Sequence, residues 1–224
     1  MKKGLTEIIF ILDRSGSMSG LEADTIGGYN SMLAKQKKEE GKALISTILF
    51  DDKIEVLHDR VDLNEVDEIT DDEYYVRGAT ALLDAVGGSI HHIGNIHKYA
   101  RNEDVPEKTL FIITTDGMEN SSKSYSYKKV KKMVERQKNK YNWEFIFMGA
   151  NMDAVEVAGR FGVKANRAVR YECDGEGTKL NFEVMSRIVS CARSADSAAE
   201  MEDAFEADEL LAPIRADYSR RHSS

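Results

Sequence analysis

Two apolar runs constrain this chain more than anything else in it. Ile8-Ile9-Phe10-Ile11-Leu12 runs without a break into Asp13, and Leu110-Phe111-Ile112-Ile113 runs through two threonines into Asp116. A run this short, apolar on both faces and bounded by turn-forming residues, reads as a strand buried in a parallel sheet. Each aspartate then stands at the end of its strand, the edge where open α/β sheets keep their ligand sites. Ser15 and Ser17 follow Asp13 at alternate positions. One tight loop therefore offers a carboxylate and two hydroxyls, an oxygen-only set suited to a hard cation.

Helices fill the intervals. Residues 21–40 read as a first helix, with Ile26, Tyr29, Met32 and Leu33 at helical spacing and Gly41 as its stop. Residues 43–50 are a second strand. Residues 54–61 alternate apolar and polar, the pattern of an antiparallel edge strand with one wet face. Residues 62–79 are acidic and irregular. The next helix carries Leu82, Leu83, Val86, Ile90, Ile93 and Ile96 on one face. Gly87 and Gly88 inside it cost about 1 kcal/mol each, and close approach of the helix to the sheet is one explanation for them. Tyr127, Val130, Met133 and Val134 mark a further helix whose other side holds Lys128, Lys129, Lys131 and Lys132. Residues 143–148 are another buried strand, 152–159 a short helix and 168–171 a weak strand. A last clear helix spans 178–193, with Thr178 as its N-cap. Strands alternating with helices after one hairpin place the chain in the α/β class with a mostly parallel sheet.

Length and composition narrow the function. A chain of 224 residues with 42% hydrophobic residues can bury one large α/β core. A net charge of −8 disfavours a general nucleic-acid binder, which needs a clustered basic surface. Cys173 and Cys191 have neither metal-ligand spacing nor a disulfide framework, and read as reduced thiols of a cytoplasmic protein. The apolar run after Met1-Lys2-Lys3 ends at Leu12, too short for a signal core, and nothing approaches the roughly 18 apolar residues of a membrane span. From Ser194 the sequence turns acidic and alanine-rich. Met201, Phe205 and Leu210 fit one more amphipathic helix before a disordered end, so the expected division is a domain over 1–193 and a tail over 194–224.

If the strands ending in Asp13 and Asp116 are neighbours where chain order reverses, their ends share one crevice. Gly78-Ala79-Thr80, ahead of a helix, can bring a third hydroxyl to the same edge. Each piece alone has an ordinary reading: Ser15 and Ser17 as turn residues or an N-cap, Thr80 as an N-cap, Asp116-Gly117 as a common turn pair. Their joint order on these elements favours a metal site.

At these residues the sequence resembles the von Willebrand factor type A (VWA) domain family and its metal-ion-dependent adhesion site (MIDAS), written Asp-x-Ser-x-Ser, a distant Thr and a distant Asp. Asp13-Arg14-Ser15-Gly16-Ser17, Thr80 within Gly78-Ala79-Thr80-Ala81-Leu82-Leu83-Asp84-Ala85, and Thr115-Asp116-Gly117 match the three parts. The resemblance covers roughly residues 5 to 193. It departs at the poorly marked last strand and at the acidic tail. It implies a Rossmann-like, doubly wound, mostly parallel six-stranded sheet with one antiparallel edge strand and helices on both faces. It also implies Mg²⁺, with Mn²⁺ or Ca²⁺ as alternatives, held by the hydroxyls of Ser15, Ser17 and Thr80 and by Asp13 and Asp116, directly or through water. A protein partner would complete the site with an Asp or Glu. The likeness is strongest to intracellular, prokaryote-type members, which implies a bacterial or phage-related setting beside an ATPase or an assembly complex, with no nucleic-acid or membrane partner.

The competing class is a metal-dependent phosphatase or phosphotransferase of the haloacid-dehalogenase type, which also places an aspartate after a first strand. Those enzymes need an acid/base carboxylate two residues on, where this chain has Ser15, which cannot serve near pH 7. His91 lies eleven residues past Thr80 on one helix, roughly 16 Å away, and His97 is farther; both read as helix-surface residues. His58 sits on the edge strand. No phosphate-loop or dinucleotide fingerprint occurs. The chain is therefore read as a binding module and not an enzyme. The Lys128 to Lys132 cluster reads as a solvated helix face, with docking of an acidic partner as the sharper alternative.

Overall fold

In the computed structural model, which describes residues 1–207 and 210–223, six strands form one sheet in the order β3-β2-β1-β4-β5-β6. They are β1 (Lys2–Asp13), β2 (Lys42–Phe50), β3 (Ile54–Asp62), β4 (Pro106–Thr115), β5 (Glu144–Gly149) and β6 (Ala168–Arg170). All neighbours pair in parallel except β2 and β3, which are antiparallel. The alternation expected for β3 holds only loosely, since Ile54 and Val56 are both exposed. Strand β1 is central, with β2 on one edge and β4 on the other, so chain order reverses between β1 and β4. Ile8, Ile9, Phe10, Ile11 and Leu12 are all buried, each worth about 1.5–3 kcal/mol of transfer free energy.

The helices are α1 (Glu22–Gln36), α2 (Leu82–Tyr99), α3 (Tyr127–Tyr141), α4 (Ala154–Phe161), α5 (Gly175–Ser194), α6 (Ala198–Ala207) and α7 (Ala212–His222). Successive β1 side chains point to opposite faces. Ile8, Phe10 and Leu12 join the core shared with α1, α5, α6 and α7, whereas Ile9 and Ile11 join the one shared with α2, α3 and α4. The sheet is covered on both sides, as the apolar runs require.

Several local expectations are corrected. Helix α1 ends at Gln36, ahead of Gly41, where Arg193 of α5 gathers the carbonyls of Gln36 and of the turn that follows. The guanidinium donates to the carbonyls of Gln36 (2.6 Å), Glu39 (2.9 Å), Glu40 (3.1 Å) and Gly41 (2.8 Å). Buried Lys108 does the same for α5, donating to the carbonyls of Arg193 (3.2 Å) and Ala195. Cations at helix C-termini also oppose the negative end of the helix dipole. The N-cap of α5 is Asp174, which accepts the Gly177 N–H at 2.7 Å, and Thr178 is buried in the first turn. Gly87 makes room for the ring of Tyr125 rather than for the sheet, and Gly88 faces open space. His97 is no surface residue: it pairs with buried Glu7, which also takes Arg60 at 2.5 Å.

The irregular stretch 62–79 packs Leu63, Val66, Ile69 and Tyr74 into the α1 side of the core. The segment after 194 departs further from the expected single helix and disordered end. Among its described residues there are two helices, with Met201, Phe205, Leu210, Leu211 and Ile214 buried. The basic end of α7 ties down the loop before α5: Arg221 pairs with Asp174 (2.6 Å) and Glu176 (3.0 Å), and His222 with Glu172 (2.5 Å).

Replacing Arg193 by Met should take a donor from four backbone carbonyls, of which Gln36 keeps the Glu39 N–H, and cost about 2–4 kcal/mol. Urea unfolding with an unchanged slope and a lowered midpoint is the expected result; an unchanged midpoint would contradict it.

Candidate metal centre

Asp13 spans the two central strands. Its Oδ1 accepts the Ser15 N–H (2.7 Å) and its Oδ2 accepts the Thr115 hydroxyl (2.5 Å). Its carbonyl accepts the phenol of buried Tyr74 at 2.5 Å. The chain then makes a single tight turn over Gly16–Met18, which brings the Ser15 and Ser17 hydroxyls to 3.1 Å. Thr80 does not cap α2, whose N-cap position is Ala81; its hydroxyl instead donates to Ser15 Oγ at 3.0 Å. The Ser17 hydroxyl donates to Asp116 Oδ1. Thr80, Ser15, Ser17 and Asp116 thus form one chain of hydrogen bonds, with Asp13 behind Ser15. The structure brings together all five residues that the sequence singles out.

Gly117 decides what this cluster can hold. A Cβ at that position would stand 2.6 Å from Thr80 Oγ1, 2.9 Å from Ser17 Oγ and 3.3 Å from Ser15 Oγ. Three hydroxyl oxygens converge on a spot that only glycine leaves clear. They line a cavity of about 400 Å³ together with Asp116, Met118, Asn120 and Asn151. Among the described residues, no group of three or more His, Cys, Asp or Glu gathers as a metal cage. Two carboxylates and three neutral hydroxyls are all hard oxygen donors, and they fit a small divalent cation such as Mg²⁺.

No family model matches the sequence, and no curated protein matches it either. Solved structures do match. Proximal thread matrix protein 1 from the mussel byssus, in a structure with a zinc-occupied MIDAS motif, superposes with a TM-score of 0.56 at 14% identity over 84% of this chain and 46% of its own. The von Willebrand factor type A protein from Catenulispora acidiphila gives 0.54 at 16% over 82% and 42%. The ArnB paralog VWA2 from Sulfolobus acidocaldarius gives 0.50 at 16% over 81% and 45%. The fold is that of a VWA domain. The chain spans about half the length of these solved chains.

Within this VWA fold, residues the sequence reading passed over hold the loops in place. Asn120 Oδ1 accepts the Thr80 N–H at 2.9 Å while its own N–H donates to the Thr80 carbonyl at 3.0 Å. Glu119 accepts from Leu83 N–H at the start of α2 and from the N–H groups of Ser121 and Ser122. Arg14, inside the motif itself, is fully buried. It bonds Asp51 (3.0 Å), Glu55 (2.6 Å) and the Glu73 carbonyl (3.1 Å), and lies 5.2 Å from the Tyr75 ring centre. Arg77 shares Asp51 at 2.6 Å. Two backbone bonds, Arg77 N–H to Arg14 O and Gly16 N–H to Gly78 O, join the first loop to the threonine loop. Gly78 has φ +69°, and a side chain there would collide with Asp52. A charged residue wedged between Asp13 and Ser15 was the available sign that this position is anchored.

Burial pushes the Asp13 carboxyl up to about 6, against the hydrogen bonds from Ser15 and Thr115 and with a small push from Asp116. Burial raises Asp116 as well. Cys173, which shows no ligand spacing in the sequence, donates its thiol to Asp116 Oδ2 at 3.3 Å. Burial and the Asp116 charge push that thiol up to about 12, so it stays a protonated donor.

Two tests follow from this geometry. Asp13 binds its proton more tightly in the folded chain than at the ordinary 3.8. Stability in EDTA should therefore fall as pH rises from about 4 to about 6, by on the order of 2–3 kcal/mol relative to Asp13→Asn. Parallel pH profiles for the two proteins would contradict this. Arg14→Ala leaves Asp51 and Glu55 short of a partner and should cost about 3 kcal/mol or more, the range for breaking a buried pair. Denaturant unfolding measures it; a loss under 1 kcal/mol would rule out the anchoring role.

Proposed function

We propose that this chain is a divalent-cation-dependent protein-binding module. Asp13 and Asp116 anchor the cation, and Ser15, Ser17 and Thr80 offer it neutral hydroxyl oxygens. The observation that carries the reading is the convergence of three uncharged hydroxyls beside Gly117 on the wall of an open cleft. With so few anionic ligands, a bound cation keeps a strong attraction for an external carboxylate, which an Asp or Glu of the partner supplies. Mg²⁺ is the preferred ion on its tolerance for one or two carboxylates, with Mn²⁺ or Ca²⁺ as alternatives. The mussel protein with zinc in its MIDAS supports the general idea of a metal on this fold.

A phosphatase or phosphotransferase is disfavoured. Among the described residues lining the cleft, the one group with a titratable proton is Asp116, already assigned to the cation. His91 is exposed on α2 and bonded to Asn95, His58 is bonded to Thr47 on the sheet edge, and His97 is engaged with Glu7. We place the module in the bacterial cytoplasm, where unbridged Cys173 and Cys191 are at home. No described helix is long and apolar enough to cross a membrane. An ATPase or assembly complex as partner rests on the resemblance alone.

Thermal unfolding in Mg²⁺ and in EDTA tests the site. At a hundredfold excess over Kd, mass action supplies about 2.7 kcal/mol, a rise in Tm of about 5–10 °C for a chain of this size. Asp116→Ala should abolish the rise. Identical curves with and without Mg²⁺ would sink the reading, as would partner capture that is equal in Mg²⁺ and in EDTA.

A further inference from the structure

Helix α3 buries Val130, Val134 and Gln137 and turns its opposite side to water. On that side Lys128, Lys132, Arg136 and Lys140 follow one another at i, i+4 spacing, all exposed. The four make an inclined ladder of positive charge that rises about 18 Å along the helix at 1.5 Å per residue. Among the described residues, the one ion pair on the helix is Lys131 with Glu135 at 3.9 Å, which leaves the ladder unneutralised. Six lysines, one arginine and one glutamate give α3 a net charge of +6, on a chain whose total is −8. Like charges at this spacing work against the helix, and the side chains that pack it lie on the other face. Lys140 lies over the Tyr141 ring at 5.3 Å, and no ion pair among the described residues holds any of the four.

The ladder follows the cleft loop in the chain. The loop from Gly117 through Met118 and Asn120, which line the cleft, leads directly into the first turn of α3. Asp84 at the start of α2 fixes that loop by accepting the N–H groups of Lys123, Ser124 and Tyr125. Lys129 then folds back over the Tyr125 ring at 4.0 Å. The loop that leaves the cleft is therefore held in place on its way to the basic helix.

We propose that the partner presents an acidic peptide segment, with one carboxylate entering the cleft and its neighbouring acidic side chains pairing with Lys128, Lys132, Arg136 and Lys140. This rests on the metal-dependent reading above. A short acidic segment meets only the local stripe, whereas a long polyanion such as nucleic acid also meets the repulsion of a chain at −8. The outward side of α3 carries no apolar row that could enter a bilayer.

The test uses a fluorescein-labelled deca-glutamate peptide and fluorescence anisotropy, in Mg²⁺ and in EDTA, at 50 and 300 mM salt. The variant is the triple Lys128→Glu, Lys132→Glu, Arg136→Glu, with Lys128→Gln/Lys132→Gln as a milder second. The Mg²⁺-induced shift in Tm verifies fold and cation binding in each. The expected result is binding in Mg²⁺ that weakens about tenfold or more in the triple variant, less in the double, and that fades at high salt. Binding that survives EDTA but not charge reversal keeps α3 as the acidic docking surface and overturns the metal's part in it. Equal affinity for wild type and the triple variant overturns the proposal. So does ladder-dependent binding of a single-stranded 20-mer DNA or of phosphatidylserine vesicles in place of the peptide. A salt-sensitive dimer in sedimentation, lost in the triple variant, assigns the ladder to a second copy of this chain and overturns it as well.

Discussion

Strand β1 has neither a free edge nor a free face. It is paired on both sides, with Leu12 opposite Leu49 of β2 and Thr114 of β4, and packed above and below by helices. Such a strand can present polar groups only where it stops. The crossover through α1 carries the chain to β2 on one side, and the later crossover through α2 carries it to β4 on the other. The gap between those departures lies directly above β1. Asp13 and Asp116 face each other because the sheet is wound outward from its middle.

Winding alone would bring the loops near one another without fixing their side chains. The fixing is local and polar. Tyr74 holds the Asp13 carbonyl, Asn120 clasps both backbone groups of Thr80, and Arg14 locks the first loop to the β2–β3 turn and to the segment carrying Tyr75 and Arg77. The hydroxyls thus sit on backbone already held by buried bonds, which is the arrangement a preorganised site requires. Cys173 adds a thiol bond to Asp116, and its loop is tied in turn to the end of α7. The segment after 194 is in this way part of the scaffold around the cleft.

The strands and the five cluster residues were legible because both rest on short-range pattern: unbroken apolar runs, and polar residues at fixed offsets from them. What the sequence hid depends on partners distant in the chain. Gln36 ends α1 where Arg193, far downstream, takes its carbonyl. Gly87 exists for Tyr125, and His97 faces Glu7, neither of which any window around them reveals. The stretch 62–79 reads as acidic and irregular, yet four of its apolar residues, Leu63, Val66, Ile69 and Tyr74, were the better guide to where it packs. Likewise Met201, Phe205 and Leu210 correctly pointed inward, while the basic end of α7 found carboxylates that spacing could not supply.

The chain of hydroxyls has a direction. Each carries one proton: Thr80 gives its own to Ser15 and Ser17 its own to Asp116, with the Ser15–Ser17 bond joining the two. A hydroxyl oxygen has two lone pairs, so each of the three still has one to offer a cation while its proton keeps its present bond. Loading the site would then add a positive charge behind the lip without breaking the chain that positions the oxygens. A visiting carboxylate would meet an attraction that the hydroxyls alone do not supply, although no backbone atom need move.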